Sequence, residues 1–400
     1  MRSFQMLFLL LFILFYAAVS FGTFQNLKKS ISEKYKNRFG LIFGSYTLLL
    51  LSTFIFLYIY PNQPRHAHNY TVYFYFNVIF FIDLIVKLFI SISYLLYLLF
   101  RKKAFARTIL ISGIIIGSGV GMIMLYGTLW GKRELKVTQV ELHFNNLPKN
   151  FDNYTIVQFS DLHLGSFLNS TALLKKTERK IKAIHPNLIL FTGDLVNNFW
   201  EETLGYKDIF KQINVDGFSY AILGNHDYGN YTTWSSEQAK HENFMNIVQA
   251  FKELGFHLLR NENVPLVVNE DTIYLAGVEN WGHRPFPQLA NLNKALGNIP
   301  ENGFKILMTH DPAHWESSVK GKRNIELTLS GHTHGLQWGI KAAGIPFSLA
   351  YLIRKDWGGL YYWNNNYLYV NTGLGTVGIP WRIDMSPELT VFTLKRVEVD

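Results

Sequence analysis

Four apolar runs crowd the first 130 residues, and any fold of this chain must keep them out of water. They cover residues 4–21, 41–60, 73–100 and 108–130, each near the length that crosses a bilayer. Each is apolar around the whole helix rather than along one stripe, which suits lipid better than a soluble core. A four-helix transmembrane region over residues 1–139 is therefore expected, followed by a separate domain over 140–400. The first run could instead be a signal peptide, with Ala17-Ala18-Val19-Ser20 as its small-residue cleavage region.

The charge distribution follows the same division. The chain carries a net +9, yet residues 1–139 hold fifteen Lys and Arg against three Asp and Glu, while the remainder holds 23 against 26. The basic excess thus belongs to the loops between apolar runs, where anionic headgroups are the natural partner. The mildly acidic remainder gives no reason to expect a nucleic-acid partner. Loops 23–39 and 101–107 carry nine basic residues, against five on the other side (Arg2, Arg65, Lys132, Arg133, Lys136). The positive-inside rule then makes this a multi-pass cell-membrane protein with its C-terminal domain extracytoplasmic. Were the first run a signal sequence, the assignment would invert. Asp83 and Lys87, four apart inside the third run, are expected to neutralise each other within the bundle.

Beyond residue 140 short apolar runs alternate with amphipathic stretches. Strands are expected at 155–159, 188–192, 219–223, 272–276, 305–309, 326–329 and 367–370. Helices are expected at 170–184, with Ser170 as N-cap, and at 237–254. Continuous apolar strands separated by helices imply an α/β layered domain whose sheets are covered on both faces.

Five of these strands run directly into polar motifs: Asp161-Leu162-His163, Gly193-Asp194, Gly224-Asn225-His226-Asp227, His310 and Gly331-His332-Thr333-His334. Ligands gather outside the carboxyl ends of strands in α/β sheets, so five such ends point to one shared site. A lone Gly-Asp is more often a turn or cap, but Gly-His-x-His can turn two imidazoles the same way. The chain has no cysteine, which excludes disulfides, zinc–thiolate sites and thiol nucleophiles and leaves His, Asp, Asn or Glu to hold metal. Two divalent ions, manganese, iron or zinc, about 3.5–4 Å apart would clamp the attacking and leaving oxygens of a displacement at phosphorus.

In this order the motifs resemble those of the calcineurin-like metallophosphoesterases, over roughly residues 150–395 and including the tail Asn371-Thr372-Gly373-Leu374-Gly375 with Arg382. Apolar runs ahead of such a domain are similar to the membrane-associated branch of that family. The resemblance implies a four-layer αββα sandwich of two mixed sheets. It implies that Asp161, His163 and His334 hold one metal, that Asn225, His310 and His332 hold a second, and that Asp194 bridges them. His226 would face the leaving group as proton donor or cation, with Asp227 orienting it or supporting the ligands from behind. Two departures stand out. Asn197 and Asn198 follow Gly193-Asp194 where relatives often have an acid, and Leu336 stands where many have glycine.

Of the other histidines, His185, His241, His257 and His283 are expected at the surface or in loops, and His314 on solvated helix. Residues 339–363 bring Ile345, Phe347, Leu349, Tyr351, Leu352 and Ile353 before Arg354, Lys355 and Trp357. This is either core with a rim loop or a flap resting in a lipid interface. Membrane lipids and a phosphorylated or lipid-linked substrate are thus the partners in view. Some family members cleave a nucleotide-linked lipid-A precursor on the cytoplasmic face, and an extracytoplasmic domain would favour outer-leaflet lipid phosphates or diesters instead. The competing class is a membrane receptor or scaffold that binds a ligand without turnover, and a transporter is a weaker third.

Overall fold

A backbone surrounded by lipid must satisfy its own hydrogen bonds, and long apolar runs accordingly become uninterrupted helix. In the computed structural model, which describes residues 2–59, 70–168, 170–215, 217–282, 288–342 and 345–397, these are α1 (Arg2–Lys28), α2 (Lys36–Ile59), α3 (Tyr70–Phe100) and α4 (Ala106–Leu129). All four are long and apolar enough to cross a membrane. Tyr60, Arg65 and His283 lie outside the described residues. The chain divides into two compact units, one holding nearly all of these helices up to residue 128 and the other everything from residue 129.

Within the helical unit Tyr16, Val19, Leu50, Phe54, Phe80 and Leu84 form a buried seam. Helix α4 closes on α3 through Gly113, Gly117 and Gly121, one turn apart. A Cβ at Gly117 would stand 3.0 Å from the Val86 carbonyl, so small residues set the approach.

The second unit contains β1 (Lys136–Phe144), β2 (Thr155–Phe159), α5 (Ala172–Ile184), β3 (Leu188–Phe191), α6 (Lys207–Ile213), β4 (Ser219–Ala221), α7 (Glu237–Glu253) and β5 (His257–Leu258). There follow β6 (Glu262–Val268), β7 (Asp271–Gly277), α8 (Leu292–Leu296), β8 (Lys305–Met308), β9 (Leu327–Ser330), β10 (Gly339–Ala342), β11 (Ile345–Ser348), β12 (Gly359–Trp363), β13 (Asn366–Val370) and β14 (Glu388–Arg396). Two six-stranded sheets result, ordered β1-β14-β2-β3-β4-β5 and β12-β13-β9-β8-β7-β6, with β10–β11 a separate hairpin. Both are mixed: β14 runs antiparallel to β2 and β6 to β7, while the central strands are parallel.

The strand period of two divides the side chains between layers. Ile156, Leu188, Leu190, Ile306, Met308, Leu327 and Leu329 fill the space between the sheets. Val157, Ile189 and Phe191 point the other way, against Leu174 and Ile181 of α5, Phe210 of α6 and Ile247 and Phe251 of α7. On the far side Leu307 meets Leu292 and Ala295 of α8 and Trp315. This is the four-layer α/β sandwich. The expected strands form, although those at 188–192, 219–223 and 305–309 end one or two residues early. Helix α5 starts at Ala172, so Thr171 rather than Ser170 takes the N-cap position. Ser236 caps α7 by accepting from the Ala239 N–H.

Candidate metal centre

Strands β2, β3, β4, β8 and β9 end at the same edge, and their loops bring all seven expected ligands together. His334 Nε2 stands 3.2 Å from Asp161 Oδ1 and 3.1 Å from His163 Nε2. A second group places His310 Nε2 3.1 Å from both Asp194 Oδ2 and Asn225 Oδ1, with His332 Nδ1 2.8 Å from the same amide oxygen. Asp194 Oδ2 also lies 3.6 Å from His163 Nε2, between the two groups.

Such spacing is what ions require. Two ligand atoms each about 2.1 Å from one cation stand about 3–3.5 Å apart. Among the described residues, Asp161–His163–His334 and Asp194–His310–His332 each bring three ligand atoms close enough to hold a metal. Two ring nitrogens face each other at His163 and His334 in a buried setting, and the other ring nitrogen of His163, Nδ1, has no hydrogen-bond partner among the described residues.

The loops reach this arrangement through unusual backbone. Asp161, His163, Asp194, His332 and His334 all have positive φ, from 43° to 73°. Non-glycine residues in this region cost energy and collect at functional sites. Gly224 and Gly331 permit the crowding, since a Cβ on either would strike a carboxylate, that of Asp194 or Asp161. Leu336 also has φ 51°, a conformation that glycine would take without strain.

Supporting hydrogen bonds fix the rings. The His310 Nδ1–H donates to the Thr192 carbonyl at 2.7 Å, which leaves Nε2 facing the site. His226 Nδ1–H likewise donates to the Asn197 carbonyl at 2.8 Å, and its backbone N–H to Asp194 Oδ1 at 2.8 Å. So the backbone of Asn197, not a side-chain acid in that loop, holds the His226 ring. Asp227 serves a different purpose from orienting that ring. Fully buried, it accepts from the backbone N–H groups of Asp194, Leu195, Val196 and Gly224 at 2.8–3.3 Å. Glu202, which the motifs gave no reason to single out, does the same for the next stretch. It accepts from the N–H groups of Gly165, Asn197, Asn198 and Phe199 and from the Asn197 amide, at 2.7–3.0 Å.

Burial alone would raise the Asp161 and Asp194 carboxyls. Their histidine neighbours, His334 and His310 for the first and His310 and His226 for the second, hold both below the ordinary range. Burial pushes His163 and His226 downward and takes His332 down to about 4, favouring the neutral form in which imidazole can ligate. His310 moves against its burial, up to about 10, because Asp194 holds its proton. A cation held by His310 Nε2 would have to displace that proton.

His332 turns its other nitrogen toward Asp311 at 3.9 Å, and Asp311 is paired with the Arg354 guanidinium. His185, His241 and His257 are exposed. His314 is not on solvated helix: it is buried, 3.0 Å from Thr309 Oγ1 and stacked on Trp281.

Residues 154–336 match the calcineurin-like phosphoesterase family. The chain is 30% identical over 276 residues to the metallophosphoesterase YkuE of Bacillus subtilis, spanning 65% of this chain and 86% of that one. It is 28% identical over 283 residues to a transmembrane protein with metallophosphoesterase domain of Danio rerio, spanning 69% of this chain and 61% of the other. The same identity, over 290 residues, relates it to the UDP-2,3-diacylglucosamine pyrophosphatase LpxG of Chlamydia trachomatis, with 60% of this chain and 84% of that one covered.

Proposed function

The chain belongs to the calcineurin-like metallophosphoesterases, a family of phosphoester hydrolases, and from this we propose a membrane-anchored, dinuclear enzyme that hydrolyses a phosphate ester or pyrophosphate on a lipid. The observation that carries the reading is the convergence of Asp161, His163, Asp194, Asn225, His310, His332 and His334, with ring, amide and carboxylate atoms 2.8–3.6 Å apart. Asp161, His163 and His334 would hold one divalent ion, Asn225, His310 and His332 the other, and Asp194 both. When bound, such ions supply Lewis acidity at phosphoryl oxygens and lower the pKa of water.

The remaining chemistry falls to the chain. His226, its Nδ1–H committed to Asn197, presents Nε2 to the site. Burial disfavours its protonation, and an incoming phosphoryl group, being anionic, offsets that cost. In the protonated state Nε2 donates to the leaving oxygen. Asp227 and Glu202 act on geometry: they tie down the amides around Asp194 and so fix where both metal groups share a ligand.

Lipid attachment is supported by the four apolar helices and by the likeness to LpxG, whose name specifies a diacylated, UDP-linked sugar. The loop charges favour an extracytoplasmic domain, hence an outer-leaflet lipid phosphate or diester as substrate. The test is manganese-stimulated hydrolysis of bis(4-nitrophenyl) phosphate by the full chain, with Asp194→Ala as control. Turnover that depends on Asp194 supports the reading. A folded chain that binds metal but turns over neither this nor any vesicle-borne phosphate is a receptor or scaffold instead.

A further inference from the structure

Beyond the metal centre, one surface of the α/β unit exposes apolar side chains in an arrangement its own core does not need. Leu349, Tyr351, Leu352 and Ile353 are 44%, 51%, 75% and 79% exposed. Scattered exposed leucines are ordinary, whereas a run of large apolar residues on one turn marks a contact surface. The turn itself is firmly held. Ser348 Oγ donates to the Gly335 carbonyl at 2.6 Å and accepts from the Ala350 N–H at 3.0 Å. Ala350 packs with Trp357 and Met385, and Arg354 binds Asp311. Its foot therefore reaches the residue after His334 and the carboxylate beside His332, while its apolar tip points away from protein.

The surroundings say what covers the tip. The first residue of β1, Lys136, lines a cavity of about 380 Å³ together with Ile340 and Phe347 of the β10–β11 hairpin and Leu360 of β12. That hairpin leads straight into the exposed turn. Lys136 is the seventh residue after the end of α4 at Leu129, and seven residues reach at most about 25 Å. The turn thus follows a hairpin that shares this cavity with Lys136, the start of the strand the chain enters after its last apolar helix. Lys355, exposed next to it, offers positive charge where anionic headgroups would lie.

We propose that Leu349–Ile353 is a membrane-docking turn, whose aliphatic side chains enter the headgroup layer of the bilayer that holds the four helices. Its consequence for substrate rests on the hydrolase reading above: the phosphate delivered to the site lies at headgroup depth, on the rim shared by the turn, Asp311 and His332.

Because the chain has no cysteine, Leu352→Cys gives a single labelling position in the full-length protein. A nitrobenzoxadiazole label there, in vesicles of phosphatidylcholine and phosphatidylglycerol, is expected to be quenched by nitroxide-bearing lipid and shielded from aqueous iodide. The same label at Leu204→Cys, a position 59% exposed elsewhere, should show the reverse. Iodide quenching without lipid quenching at 352 overturns the proposal, and so does shielding from both, which would mean a protein contact. Leu352→Ser/Ile353→Ser is expected to lower hydrolysis of a vesicle-borne phospholipid about tenfold and to spare bis(4-nitrophenyl) phosphate. Equal loss on both substrates would make the turn part of the site's scaffold and overturn docking. If the unaltered protein hydrolyses neither, the hydrolase reading fails, and the quenching result alone decides whether the turn docks.

Discussion

Two clusters of buried charge occupy the two units of this protein, and they are built on opposite plans. In the helical unit Lys87 Nζ has three partners: Asp83 Oδ2 at 2.9 Å, Tyr16 OH at 3.0 Å and Thr47 Oγ1 at 3.2 Å. Tyr16 and Tyr46 donate to the two oxygens of Asp83. An ammonium has three donors, so this cluster closes upon itself. In the α/β unit, ring nitrogens and carboxylate oxygens crowd within 3.1–3.6 Å of one another, and the buried His163 Nδ1 has no hydrogen-bond partner among the described residues. A closed cluster is architecture. An open one asks for a ligand, and here the strained backbone beneath it says the same.

That contrast breaks first at Asp194, whose carboxylate lies between the two candidate ligand groups. Asp194→Ala is expected to reduce hydrolysis of bis(4-nitrophenyl) phosphate by more than about 10⁴-fold, the ceiling for losing a general acid alone. Bound metal, measured by plasma mass spectrometry, should fall with it. Full metal content with lost activity would show that the ion site does not depend on the shared carboxylate. His226→Ala should cost less, about 10²–10³-fold, and the loss should shrink as the leaving group becomes a better one. A loss independent of the leaving group would remove His226 from the role of proton donor.

How far the sequence exposes this contrast differs between the units. The candidate ligands are legible because each follows an apolar strand, and a strand end fixes where the next two or three side chains go. Glu202 is not, because it lies eight residues beyond Asp194 in a loop, and only the folded loop wraps its amides around that carboxylate. Asp227 is legible as a site residue, but its contacts with four amides depend on the turn at Gly224. Likewise β14 escaped notice. Its apolar residues are interspersed with Thr390, Thr393 and Lys395, and it lies second from the edge of its sheet, pairing β1 on one side and β2 on the other. In the helices, Asp83 and Lys87 could be paired from spacing alone, yet their tyrosine and threonine partners come from α1 and α2, which no local pattern links.

The closed cluster breaks when one partner is removed. Lys87→Met leaves Asp83 buried and unpaired, which should cost about 3–5 kcal/mol of stability, read as a lower midpoint of thermal unfolding in detergent. Activity per folded molecule should be unchanged, and a selective loss of activity would give the pair a functional part. The open cluster should respond to the opposite treatment. Adding manganese to metal-free protein at a hundred times its dissociation constant stabilises by about 2.7 kcal/mol. The Asp194→Ala variant should show little of this shift. A metal response that survives Asp194→Ala would place the ion elsewhere.

The smallest effect is the most discriminating. Asp83→Leu/Lys87→Met removes both charges at once, together with the demand each makes on the other. Replacing a buried ion pair by apolar groups of similar volume is often neutral or stabilising, and here the Tyr16 and Tyr46 hydroxyls lose one acceptor each, at about 1 kcal/mol apiece. The double variant should therefore unfold within about 2 kcal/mol of the parent, well above Lys87→Met alone, and hydrolyse at the parental rate. Recovery relative to the single variant measures how completely the pair closes on itself. Had Asp83 and Lys87 worked on a solute or proton passing through the bundle, the double variant would keep its stability and lose that activity, and the two clusters would no longer be opposites.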